Sequence, residues 1–375
     1  MKLLGNIDVI LLGGFLPLLS AGLVTMYSFT SESYFFNRQA VWVSLGLALF
    51  ILFSFIDWRF LRRGGILVVV YITLLLALIF LLLGGEGVRG SRSWITLGGF
   101  TFQPADFMKL ALILIFAKYF SRRHIAIANV KHIIISGIYA FVPILSILLQ
   151  PDFGSAVIIF AIWLGMIMVS GVSKKHLALV GIIALLGVSF LWFFAFTDNQ
   201  KSRILTFIHP LADIQNAGYN AYQSTIAVGS GNAFGKGIGY GTQSRLEFLP
   251  EYETDFIFAA FAEEWGFFGV MLLFGFFGIV LWRVLRNAYR GETNFEMLFG
   301  LGFFIMLMSH FVIHVGMNIG ILPVTGLPIP FLSYGGSHIM VELMGLGILS
   351  GMRRYARVTH REKIEGEEFI GITGL

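Results

Sequence analysis

An all-α, polytopic integral membrane fold is predicted from three features of the chain. Hydrophobic residues make up 57% and charged residues 13%, and mean hydropathy is +0.83, which leaves too little polar surface to cover a soluble globule of 375 residues. About ten apolar stretches alternate with short polar connections. Basic residues crowd into every second connection, as expected for a protein threaded repeatedly through a bilayer.

A helix needs roughly 20 apolar residues to cross the hydrocarbon, and the spans are expected at 7–29, 39–56, 66–83, 107–120, 132–150, 153–170, 176–196, 255–282, 297–322 and 337–352. The first run lacks a basic leader with a small-residue cleavage site, so it is expected to be retained as a span. If Met1 lies in the cytoplasm, one face holds Lys2, Arg59/Arg62/Arg63, Lys118 to Lys131, Lys174/Lys175, Arg283 to Arg290 and the tail from Arg353, which is 18 of the 26 Lys and Arg residues. Both termini are therefore expected in the cytoplasm. The net charge of +5 is explained by anchoring beside anionic lipid, with no call for nucleic acid. The chain reads as one transmembrane domain over 1–375, with a large extracytoplasmic loop over 198–253 before the eighth span and a charged cytoplasmic tail over 353–375. Without cysteine it has no disulfide, thiolate nucleophile or cysteine metal site.

Four outward segments carry residues that topology alone does not demand. The first runs from Gly90 to Leu110. Arg92 and Trp94 suit a lipid–water interface, Gly98/Gly99 allow a tight turn, and Pro104 suits a helix first turn. Asp106 and Lys109, three apart, share a helix face. They read either as an interfacial anchor with an intrahelical ion pair or as functional charges, because Lys109 lies deeper than an anchor needs. The second, Leu148 to Ala156, ends one helix at Pro151 and offers Asp152 as the cap of the next.

The third, Ala221 to Gly269, has glycines at nearly alternate positions from Gly229 to Gly241. Such a run lets backbone N–H groups converge on an anion, with Lys236 and Arg245 adding charge, although a flexible surface loop has the same composition. Glu251, Glu253 and Asp255 follow, Thr254 is placed to cap the next helix, and Asp255 falls in its first turn, where a carboxylate also suits the helix dipole. Glu263 and Glu264 lie about two turns deeper and require an internal cation, a proton or water. The fourth, Ile321 to Ser337, has three prolines and three glycines and reads as a re-entrant or cavity-lining loop.

In chain order these segments spell Arg-x-Trp…Gln-Pro…Lys, Gln-Pro-Asp-x-Gly, a glycine-rich run into Leu-Pro-Glu…Thr-Asp-Phe-Ile-Phe…Glu-Glu-x-Gly, and Leu-Pro-Val-Thr-Gly…Pro-Phe…Ser-Tyr-Gly-Gly-Ser. Over nearly the whole chain they resemble the SEDS family of bacterial cell-wall polymerases, nearest its elongation (RodA) branch. The resemblance implies ten helical spans. It also implies peptidoglycan glycosyltransferase activity on lipid II, the undecaprenyl-diphosphate-linked disaccharide pentapeptide, outside the cytoplasmic membrane, and a class B penicillin-binding protein as transpeptidase partner. The essential aspartate of the Thr-Asp-Phe motif falls on Asp255, the expected catalytic base. Arg92, Asp106, Lys109, Lys236, Arg245, Glu251 and Ser333 are the expected substrate-binding residues, and a divalent cation, Mg or Mn, could assist the departing diphosphate.

Three positions depart from the family. Gln103-Pro104-Ala105-Asp106 stands where Gln-Pro-Ser-Glu is more usual, His314 where asparagine is common, and His338 where a small hydroxyl residue is usual. Neither histidine is assigned a catalytic role. Two other function classes compete: a lipid flippase or proton-coupled transporter that uses Glu263 and Glu264 as proton carriers, and a non-enzymatic scaffold.

Overall fold

In the computed structural model, residues 8–28, 34–84, 93–97, 100–122, 130–194, 196–209, 218–246 and 248–372 are described. The expected spans correspond to α1 (Val9–Ser28), α2 (Tyr34–Phe55), α3 (Ile66–Gly84), α4 (Pro104–Ser121), α5 (Val130–Leu148), α6 (Phe153–Val169), α7 (Lys174–Phe194), α11 (Ile257–Tyr289), α12 (Asn294–Asn318) and α13 (Gly336–Ile372). Seven of them, α1, α2, α3, α5, α7, α11 and α12, are long and apolar enough to cross a membrane, and α6 is apolar but shorter. The charged end of the chain, expected to leave the last span at Met352, continues α13 to Ile372.

The segment over 198–253 carries three helices of its own: α8 (Asp198–Ile208), α9 (Tyr219–Ser230) and α10 (Thr242–Arg245). Thus the start of the expected glycine-rich loop is helical, and α9 packs on α11 and α12. A small antiparallel hairpin, β1 (Ile95–Leu97) with β2 (Phe100–Phe102), pairs Leu97 with Phe100. The Gly98/Gly99 pair expected to turn there lies outside the described residues.

Packing pairs α13 with α2, α1 with α11, α11 with α12, and α12 with α4. Close approach of α1 to the α12–α13 connection depends on Gly22, where a Cβ would meet the Leu332 carbonyl oxygen at 2.5 Å. In contrast, α7 buries only Val180, and a helix apolar all round with so little protein cover suits lipid.

Basic connections meet at one end of the bundle. Arg122 donates to the Arg62 carbonyl and Lys118 to the Gly64 carbonyl. Asp8, at the start of α1, accepts from Arg283 Nε at 2.7 Å, from Asn287 Nδ2 at 2.9 Å and from Arg353. This buried clasp joins the near ends of α1, α11 and α13, so the first helix, the Arg283 region and the start of the tail share one side.

Candidate active site

At the opposite end, α11 is broken. Gly266 sits inside it with φ +67°, a conformation that costs glycine little. A break leaves helix N–H and C=O groups without intrahelical partners, and the glycine-rich segment supplies them. Lys236 N and Gly237 N donate to the Glu263 and Glu264 carbonyls at 2.9 and 3.0 Å, while Phe267 N and Phe268 N donate to the Asn232 and Ala233 carbonyls. Gly235 lies so close to the Glu264 backbone that no Cβ fits.

The same segment cradles an anion, and that anion is a side chain of the protein itself. The fully buried Glu263 carboxylate accepts from Lys236 Nζ at 2.6 Å, Thr242 N and Oγ1 at 3.0 Å each, and Gln243 N at 3.1 Å. Glu264 accepts from Ser28 Oγ at 2.6 Å and Gly239 N at 3.0 Å. Lys236, expected to bind substrate, is therefore the internal cation that Glu263 requires. Arg245 is exposed and donates to the Gly239 carbonyl at 3.1 Å. Replacing Lys236 with Met should leave Glu263 buried without its cation and lower stability by about 2–3 kcal/mol. Glu263→Gln should cost less, because Lys236 is 30% exposed and can turn to water; thermal unfolding of the purified variants gives the order.

Asp255 lies before α11, outside its first turn. The helix begins at Ile257 with Phe256 as N-cap and no side-chain cap, so Thr254 does not cap it. Instead, Thr254 Oγ1 donates to Glu251 Oε2 at 3.2 Å, and Glu251, with φ +53°, accepts from Thr254 N and Phe256 N through its carbonyl. Asp255 is half-buried, and its Oδ2 is 3.4 Å from where a Cβ on Gly326 would stand. Its backbone is fixed by Asn318, whose Nδ2 donates to the Asp255 carbonyl at 2.9 Å and whose Oδ1 accepts from Ala259 N at 3.2 Å.

The four outward segments meet around residues 325–337, which run beside Asp255 at Gly326. Ser333 Oγ donates to the Thr254 carbonyl at 3.0 Å, and Tyr334 N to the Glu253 carbonyl at 2.9 Å. Ser333 is buried and acts as a staple between two loops. Gln103 donates to Asp152 Oδ2 at 3.1 Å through Nε2 and to Ser337 Oγ at 2.9 Å through its backbone. Asp152 caps α6 by accepting from Ser155 N at 3.0 Å. Gly154, next to that cap, packs against Thr325 and Leu327.

Residues 326–328 connect Asp255 to a second, buried group. The Pro328 carbonyl lies 3.2 Å from His310 Nδ1, and His310 Nε2 lies 3.5 Å from Lys109 Nζ. Lys109 donates to Asp106 Oδ1 at 2.8 Å, and both are almost completely buried. This is an ion pair inside the bundle rather than an interfacial anchor. His338 and Glu342 of α13 complete the group, with His338 Nε2 2.8 Å from Glu342 Oε1 and Nδ1 3.9 Å from Asp106 Oδ1. His314, one turn beyond His310, has Nδ1 2.6 Å from the Leu327 carbonyl.

Residues 3–358 match the family model for the cell cycle proteins FtsW, RodA and SpoVE. The chain belongs to this family. SEDS relatives include stage V sporulation protein E of Bacillus subtilis, 34% identical over 365 residues and covering 93% of this chain and 98% of the relative. The peptidoglycan glycosyltransferase MrdB of Escherichia coli K12 is 33% identical over 328 residues, covering 88% of this chain and 86% of the relative. These identities do not separate a sporulation branch from the others. A chain of a solved peptidoglycan synthase complex, studied for the coordination of polymerization and crosslinking, superposes with TM-score 0.79 at 31% identity, over 93% of this chain and 98% of its own.

Of the SEDS residues expected at the site, Asp255, Glu251 and Ser333 come together, and Asp106 and Lys109 lie beyond residues 326–328. Lys236 and Arg245 belong to the glycine-rich segment, and Arg92 lies outside the described residues. Among the described residues, no three His, Asp or Glu side chains are grouped as metal ligands. Asn318, His310 and Glu342 were missed from sequence. His310 and Glu342 are ionisable groups inside apolar spans, the criterion that singled out Glu263 and Glu264.

Proposed function

We propose that the protein is a peptidoglycan glycosyltransferase that polymerises lipid II into glycan strands at the outer face of the bacterial cytoplasmic membrane, with Asp255 as general base. The observation carrying this reading is a half-buried carboxylate beside Gly326, with Asn318 holding its own carbonyl and Ser333 the preceding Thr254 carbonyl, in a loop against which the other outward segments pack. Asp255 takes the proton from the C4 hydroxyl of the acceptor N-acetylglucosamine while that oxygen attacks the anomeric carbon of the donor N-acetylmuramic acid. The linkage inverts and undecaprenyl diphosphate leaves. Diphosphate departs readily, so the acid of a two-carboxylate glycosidase is not needed.

A sugar hydroxyl is much less acidic than a carboxylic acid, so proton transfer accompanies attack and positioning decides the rate. The departing charge needs cationic stabilisation, for which Arg92, Lys109 and Arg245 remain the proposed groups. Lys109 can turn to the diphosphate only by loosening its hold on Asp106.

The chain forms one transmembrane domain over 1–375, with the outer segment 198–253 beside the site and the tail 353–375 in the cytoplasm. Clustering of the basic connections at the end away from Asp255 supports cytoplasmic termini through the positive-inside rule. A class B penicillin-binding protein acts beside it as transpeptidase, a reading supported by the synthase-complex relative.

Transport is disfavoured because Glu263, one of the two proposed proton carriers, is neutralised by Lys236 and held by donors from the protein itself. Purified protein incubated with lipid II, with and without its transpeptidase, tests the assignment. Glycan polymer is expected; lipid scrambling in vesicles without polymer would favour transport, and neither activity would leave a scaffold.

A further inference from the structure

The geometry points to His338 as a positioning residue, a buried imidazolium that together with Lys109 balances two carboxylates and thereby holds the Asp106–Lys109 pair in place beside the site. The role rests on the proposed glycosyltransferase reading, and it arises from a charge count around one cluster. Asp106, Lys109, His310, His338 and Glu342 come from three helices, and each is at most 5% exposed. Two carboxylates and one ammonium leave a net negative charge in the bundle unless one further cation is present or one carboxyl keeps its proton, and the Phe331 N–H donated to Glu342 Oε2 favours the ionised form there. Buried net charge is strongly unfavourable.

The two histidines are not equivalent. His310 Nδ1 faces the Pro328 carbonyl at 3.2 Å, so that nitrogen carries the hydrogen. Its Nε2 then presents a lone pair to the Lys109 ammonium at 3.5 Å. His310 is thus a neutral acceptor. His338, in contrast, has a carboxylate oxygen near each nitrogen at ion-pair distance, Glu342 Oε1 2.8 Å from Nε2 without hydrogen-bond alignment and Asp106 Oδ1 3.9 Å from Nδ1. That environment suits a doubly protonated ring. The two rings lie 4.7 Å apart between centroids, so charging both would be repulsive, which also leaves His338 as the cation.

Glu342 has a second attachment. Its Oε2 accepts from Phe331 N at 2.9 Å, and Phe331 holds φ +65°. His338 therefore ties α4, through Asp106, to α13 and to the connection that carries Pro328 and Ser333. Asp106 is shared between Lys109 and His338, so the imidazolium stabilises that carboxylate whenever Lys109 turns toward a developing anion.

The charge count predicts an asymmetry that simple packing does not. His338→Asn leaves two carboxylates against one ammonium. Glu342→Gln leaves a cluster that His338 can neutralise by releasing a proton. In the double variant, Asp106 and Lys109 balance each other.

Thermal unfolding and lipid II polymerisation are measured on the purified full chain for His338→Asn, Glu342→Gln and the double variant. His338→Asn should lower the melting temperature by roughly 5–10 °C and turnover by about tenfold or more, with KM changing less. Glu342→Gln should lose under half as much in melting temperature, and the double variant should recover toward Glu342→Gln in both readouts. Losses that simply add in the double variant, or His338→Asn no worse than Glu342→Gln, would overturn the assignment. The unfolding series reads the cluster without reference to catalysis. If Asp255→Asn polymerised lipid II like the native chain, the catalytic reading would fail while the stability order remained.

Discussion

Asp255→Asn should lower glycan polymerisation by at least about 10²-fold, the low end of what a positioned general base contributes, while leaving the melting temperature nearly unchanged. The two halves of this expectation have separate causes. Asparagine keeps the size of the side chain but cannot accept the acceptor hydroxyl's proton. Folding should be little affected because Asn318 Nδ2 holds the main-chain carbonyl of this residue at 2.9 Å, a contact that the amide leaves intact. Asp255→Glu retains a base but displaces it, and in a site where an error of about 1 Å can cost about 10²-fold it should recover only part of the rate. Initial rates with lipid II, alongside unfolding curves for the same preparations, check both parts.

Asn318→Leu should be the next most damaging change for activity, although its side chain touches the reacting carboxylate only through the backbone. Asn318 is fully buried and joins the Asp255 carbonyl, the Ala259 amide and the His314 carbonyl, while Ser224 Oγ donates to its own carbonyl at 2.8 Å. Leucine fills a similar volume but leaves the Asp255 carbonyl and the Ala259 amide without their partner. Buried orphans of this kind cost about 1–3 kcal/mol each, so stability should fall by about 2–4 kcal/mol. With the start of α11 released, Asp255 is no longer fixed, and turnover should fall about 10–100-fold. Kinetics taken below the lowered melting temperature separate the two effects; a stable variant with normal turnover would show that Asn318 does not position the base.

Hydropathy and charge alternation made the helical frame legible, since a bilayer imposes the same length and polarity on every span. The Asp152 cap was equally readable, because its partner Ser155 is three residues away. The glycine-rich segment reads in sequence as an anion cradle or a flexible surface loop. Glycine, lysine and backbone amides look the same in sequence whether the anion they hold is a ligand or Glu263 of the same chain. Of the internal cation, proton or water that a buried Glu263 requires, the structure supplies a cation, Lys236, through a break at Gly266 that one glycine among 44 does not advertise. The type and position of Thr254 fit a helix cap, but the turn over Glu251 to Phe256 engages its hydroxyl instead. Asn318 and His310 escaped notice because each is a single polar residue in an apolar span, with decisive partners far away in sequence, 63 residues to Asp255 and 201 to Lys109.

The most direct measurement is polymer formation in proteoliposomes that receive lipid II only on the face bearing Asp255, with native protein compared against Asp255→Asn by gel separation of glycan products. Strands should form with the native chain and fall to the level of empty vesicles with the amide. Equal polymer from both, or lipid crossing the bilayer with no polymer from either, would contradict Asp255 as the base of a glycosyltransferase.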